Sequence, residues 1–167
     1  TLDMTVSTEA KQTVIGVGEL TKQWNEKDRP VFQFKVDAIP FRFAISSANY
    51  AVTKDNYKGK SFEVYYHPAH AENVAYLIKN AKITMDYCET NFGNYPFKTI
   101  RFAEISGFTK GFNATAYPAS IYMNENLAFH CNILADKKQD VINELAGHEL
   151  AHLWWGNSQI DPDDREG

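Results

Sequence analysis

Five consecutive residues, His148-Glu149-Leu150-Ala151-His152, combine the side chains that bind a first-row metal with one that can act on water beside it. Residues four apart stand on the same face of a helix, so the two imidazoles project together and can share one ion. Two neutral imidazoles suit Zn²⁺. Glu149 is turned about 100° around the helix from His148. There it does not ligate the metal but reaches a water held on it, which is the place of a general base. The chemistry expected is metal-assisted hydrolysis. In the competing account two core histidines are satisfied by hydrogen bonds. That account leaves an ionisable Glu unexplained on a largely apolar helix, with Val141, Ile142, Leu145 and Ala146 before the motif and Leu153, Trp154 and Trp155 after it.

A catalytic zinc needs three protein ligands and an open position. The sequence supplies two clear ones. Of the other histidines, His67 and His70 flank a helix start, and His130 sits beside Cys131 in a loop-like stretch, so each reads as a surface or capping residue. Two histidines alone are expected to hold zinc weakly or not at all, and these 167 residues by themselves to lack hydrolytic activity.

The motif helix must be seated by the elements before it. Apolar residues recur at helical spacing from about Lys137 to Gly156-Asn157, and also through Val74, Leu77, Ile78, Ala81, Met85, Cys88 and Phe92 up to Gly93, a C-terminal stop. Met85 and Cys88 on that stripe read as core residues. Residues 13–18, 31–36, 41–45 and 61–66 show strand patterning, and residues 27–30 and 53–59 are rich in turn formers. Residues 99–105 form a further strand, 107–118 a loop with aromatic interruptions, and 120–123 a short edge strand. The change from strand to helix patterning near residue 67 marks the expected boundary, dividing the α+β chain into 1–66 and 67–167.

A length of 167 residues with 44% hydrophobic and 14% aromatic content is enough to bury a core and argues against disorder. A net charge of −4 without a long run of one sign argues against nucleic acid as a partner. Cys88 and Cys131 can pair or stay free, and their spacing suits no metal motif. No stretch approaches the roughly 18 apolar residues of a membrane span, and no signal-peptide pattern opens the chain, so it reads as a soluble piece of something longer, with compartment open.

The residues resemble the gluzincin aminopeptidases typified by aminopeptidase N. In that family an aromatic pair and Gly-Asn follow the second histidine, as in His152-Leu153-Trp154-Trp155-Gly156-Asn157. The stretch Tyr87-Cys88-Glu89-Thr90-Asn91-Phe92-Gly93-Asn94-Tyr95-Pro96-Phe97 is similar to the family's helix end and Gly-x-Tyr-Pro-Phe turn. The resemblance implies that residues 1–66 are closing strands of an N-terminal β-sandwich domain. Residues 67–167 would then be the first half of a thermolysin-like catalytic domain. It also implies peptide substrates, one Zn²⁺ per complete site with His148 and His152 as ligands, and Glu149 as base. The family's third ligand is a Glu nineteen residues after the second histidine, a position four residues beyond Gly167. The family's intermediate-stabilising Tyr would lie further on.

One segment departs from the family. Its substrate amino group is held by the Glu of Gly-Ala-Met-Glu-Asn, and alignment on Ile121-Tyr122-Met123-Asn124-Glu125 puts Asn113-Ala114-Thr115-Ala116-Tyr117 there. Ala116 cannot bind an ammonium group. The resemblance thus leaves three options: looser end-specificity, an amine held through another residue such as Glu125, or a substrate other than a free peptide N-terminus. The backbone around Ala116 and Tyr117 can still pair with an extended peptide. A non-catalytic binding or scaffolding module that keeps the fold is the alternative, against which the intact His148, Glu149 and His152 argue. The resemblance also permits membrane segments elsewhere in a parent protein.

Overall fold

The computed structural model describes residues 1–37, 42–109, 111–132 and 141–154. Among the described residues ten strands and three helices run in the order β1 (Leu2–Ser7), β2 (Thr13–Ile15), β3 (Glu19–Glu26), β4 (Arg29–Val36), β5 (Ser46–Ala48), β6 (Ala51–Tyr57), β7 (Lys60–Tyr66), α1 (Val74–Phe92), β8 (Thr99–Ile105), β9 (Ala114–Tyr117), β10 (Ser120–Asn124), α2 (Glu125–Ala128) and α3 (Val141–Ala151). They form a three-stranded sheet β1-β4-β3, a pair β2-β5, and a five-stranded sheet β6-β7-β8-β10-β9.

The five-stranded sheet organises everything that follows. β7 pairs in parallel with β8, and β8 with β10, while the outer strands β6 and β9 run antiparallel. Parallel neighbours need a crossover, and α1 provides it between β7 and β8. Alternation sends Phe62, Val64, Ile100, Phe102, Ile121 and Met123 to one face, where they pack with Leu77, Met85 and Cys88 of α1 and Ile142, Ala146 and Leu150 of α3. Met85 and Cys88 are core residues as expected, and both cysteines are free.

The opposite face receives the earlier strands through polar contacts. Ser120 and Tyr122 donate to the carbonyls of Gly16 and Ile15 at 2.8 and 3.1 Å, and Arg101 donates to Gly18 O at 2.5 Å. Gly18 has a φ of 78°, and a Cβ there would lie 2.3 Å from Lys35 O, so only glycine allows this approach.

Beside Arg101 lies Glu63, whose carboxylate accepts from Tyr65 OH at 2.6 Å and faces Lys54 Nζ at 3.0 Å and Arg101 Nε at 3.5 Å. Burial alone would raise its pKa, but the hydrogen bonds from Tyr65 and Lys54 and the Arg101 charge outweigh it and hold Glu63 below the ordinary value. A depressed folded-state pKa gives stabilisation that is present above the unfolded value and lost as pH falls through the folded one. Glu63→Gln should therefore cost about 2–3 kcal/mol near neutral pH. In denaturant titrations the gap from wild type should close once the pH drops below the carboxylate range.

Several local expectations are revised. The boundary expected between residues 66 and 67 falls inside the five-stranded sheet, which holds β6 and β7 together with β8–β10. The patterning change there is the hand-over from β7 to its crossover helix. Residues 53–59 are not a turn region: β6 fills most of them, and Lys58 and Gly59, with φ of 48° and 76°, make the two-residue turn into β7. β6 is polar because it is an edge strand. Residues 42–45 form no strand, residue 41 lies outside the described residues, and residues 16–18 lie past the end of β2. Residues 120–123 belong to an inner strand, since β10 lies between β8 and β9 and is buried throughout. The 107–118 stretch, expected as loop, contains β9. Among the described residues no helix is long and apolar enough to cross a membrane.

Candidate metal centre

α3 is seated by Ile142, Ala146, Leu150, Leu153 and Trp154, all buried. Gly147 lies against Thr84 of α1, and Trp154 Nε1 donates to Gly93 O at 2.8 Å with its ring 5.4 Å from that of Tyr95. This packing fixes the rotation of the helix. His148 and His152 face outward, while Glu149, one position round, is 7% exposed. His152 lies just past the last helical residue, yet its N–H donates to His148 O at 3.3 Å, so the helical register runs through the motif. The expected continuation of α3 toward Gly156-Asn157 is replaced at residues 152–154 by a turn, while residues 137–140 and 155–157 lie outside the described residues.

The two imidazoles converge. His148 Nε2 and His152 Nε2 are 3.1 Å apart, with ring centroids at 4.7 Å and planes at 86°. A tetrahedral zinc with Zn–N bonds of about 2.0–2.1 Å places two ligand nitrogens roughly 3.3 Å apart. The pair therefore fits zinc in donor type and spacing.

The other expected site residues part company. β9 lies at the sheet edge and packs against α3. Ala116 pairs with Ile121 and is buried on the helical face, whereas Tyr117 points to the other face, its ring 5.5 Å from that of Tyr122. Glu125 opens α2, and its Oε1 accepts from Gly107 N at 2.5 Å, so it joins a different group.

That group collects the remaining histidines. His67 is an exposed surface residue whose Nδ1 accepts from Ala69 N at 3.1 Å within the turn before α1, not a helix cap, and His130 is exposed and 3.1 Å from Glu72. His70 is not a surface residue. It is half-buried, its Nδ1 2.5 Å from Glu104 Oε1 and 3.9 Å from Glu125 Oε2. The hydrogen bond to Glu104 raises its pKa above the ordinary imidazole value. Glu104, 6% exposed, was not singled out from the sequence. The available signal was a charged residue two positions on from Phe102 and four from Ile100, on the face of β8 that alternation assigns to the core.

No family model matches this chain. Over 108 residues it is 27% identical to glutamyl aminopeptidase of Sus scrofa, a stretch covering 64% of this chain and 11% of that protein. The chain thus corresponds to about a tenth of that relative's length and is similar, over this part, to a peptidase.

Proposed function

We propose that the protein is a zinc-dependent peptidase in which His148 and His152 hold the metal and Glu149 handles the proton. The observation carrying this reading is the 3.1 Å convergence of the two Nε2 atoms beside a buried Glu. Zinc held there would polarise a scissile carbonyl and lower the pKa of water. Glu149 accepts a proton from the attacking water at its carboxylate and passes it to the leaving amine nitrogen. Zinc needs a third protein ligand, which in this reading comes from residues other than those described. The sheet with α1 and α3 is read as the first half of a thermolysin-like catalytic domain, and β1–β5 as strands of a sandwich-type domain before it.

The substrate is a peptide. β9 is the outermost strand of its sheet and packs against the motif helix, so an extended chain can add to its edge by main-chain hydrogen bonds. Ala116 offers no charge for a free N-terminus, and Glu125 is tied to Gly107. Strict aminopeptidase specificity therefore has no anchor among the residues expected to supply it. Dialysis of the full-length protein against a chelator should abolish peptide hydrolysis, and stoichiometric zinc should restore it. Turnover that persists after mass spectrometry shows all zinc removed would refute the proposal.

A further inference from the structure

The C-terminal ends of β7, β8 and β10, three parallel neighbours, meet at one rim of the sheet. In open sheets with parallel strands, ligands bind outside this rim. The segments leaving it bring together His67 and His70, Glu104, and Glu125 and His130, from three separate stretches of the sequence. The donor atoms of His70, Glu104 and Glu125 all lie within 4.8 Å of one another.

Each carboxylate is divided between two tasks. Glu104 Oε2 accepts from His67 N at 2.7 Å, leaving Oε1 facing His70 Nδ1 at 2.5 Å. Glu125 Oε1 accepts from Gly107 N at 2.5 Å, leaving Oε2 facing the same nitrogen at 3.9 Å. Backbone amides thus orient both carboxylates, as outer-shell partners do around metal ligands. The His70 ring is held in turn by its neighbours, 4.8 Å from the ring of His67 and 4.7 Å from that of His130.

Hydrogen bonding does not exhaust this arrangement. One Nδ1–H serves Glu104 and leaves Glu125 Oε2 beyond hydrogen-bond reach. Two carboxylates thus converge on the single Nδ1 of His70, whose one proton can serve only the nearer. A dication among the three satisfies all of them, and the His70–Glu104 pair needs to open by only roughly 0.5–1 Å to admit bonds of about 2.0–2.2 Å.

We propose that His70, Glu104 and Glu125 form a second metal site, for a divalent transition-metal ion such as zinc, that ties the rim ends of β7, β8 and β10 together. The site is separate from the α3 pair. Asn73, at the start of α1, donates to the carbonyls of Phe129 and Cys131 near this rim, whereas Gly147 of α3 meets α1 at Thr84, eleven residues further on. Eleven helical residues span about 16 Å. The proposal therefore does not rest on the peptidase reading.

The test uses the chain with His148→Ala and His152→Ala, which removes the exposed α3 ligands. Calorimetric titration with zinc should show one bound ion, and Tm should rise by about 5–10 °C at a hundredfold excess over Kd. Adding Glu125→Gln keeps the Gly107 hydrogen bond and should weaken binding by about 10–100-fold. Glu72→Gln, at the same rim but bonded to His130, should leave it unchanged. No zinc binding up to millimolar concentration, or binding indifferent to Glu125→Gln, would overturn the proposal, as would binding lost with Glu72→Gln. Failure here leaves the α3 pair untouched, and failure of that pair to bind zinc leaves this site untouched.

Discussion

Glu149→Gln in the full-length protein should lower kcat for peptide hydrolysis by about 10²–10⁴-fold, with KM little changed. Gln has nearly the shape of Glu, so the buried position stays filled. What is lost is the basic oxygen that takes the proton from water. Zinc content and Tm should be retained, because the histidines on either side of the motif are unaltered. Steady-state kinetics with zinc analysis on the same sample separates this outcome from misfolding. An unchanged kcat would remove Glu149 from its role.

The second large effect falls on stability. Trp154 is fully buried, donates to Gly93 O, and closes the turn from Ala151 that carries His152. Trp154→Ala should cost about 3–5 kcal/mol, a large share of the 5–15 kcal/mol typical of a folded domain. The loss also frees the end of α3 from α1, so the imidazole pair should lose its fixed spacing before the sheet melts. Trp154→Phe, which refills most of the volume without the N–H donor, should cost about 1–2 kcal/mol. Phe108, 95% exposed, is the control, and Phe108→Ala should change stability by less than about 0.5 kcal/mol. Chemical denaturation of the three variants checks the order.

The two long helices α1 and α3 were legible because their signal is local, whereas the four-residue α2 carries no such period. Apolar residues at helical spacing before Gly93 match α1 over Val74–Phe92, and the i, i+4 spacing of His148 and His152 appears as two converging nitrogens. Strands whose polarity comes from their place in a sheet were not. β6 and β3 carry charges because they are outermost, and nothing local says so. In the sequence β10 looks like an edge strand although β9 covers it, since β9 is short and set among loop formers. The His70 cluster was hidden for a related reason. Its members come from the β7–α1 connection, β8 and α2, and only the parallel order of β7, β8 and β10 makes their ends neighbours.

The most direct test of the central claim is diffraction at the zinc absorption edge from crystals of the full-length protein grown with zinc. An anomalous peak is expected within about 2.0–2.1 Å of both His148 Nε2 and His152 Nε2. A map with zinc bound elsewhere and no peak between these two imidazoles would contradict it.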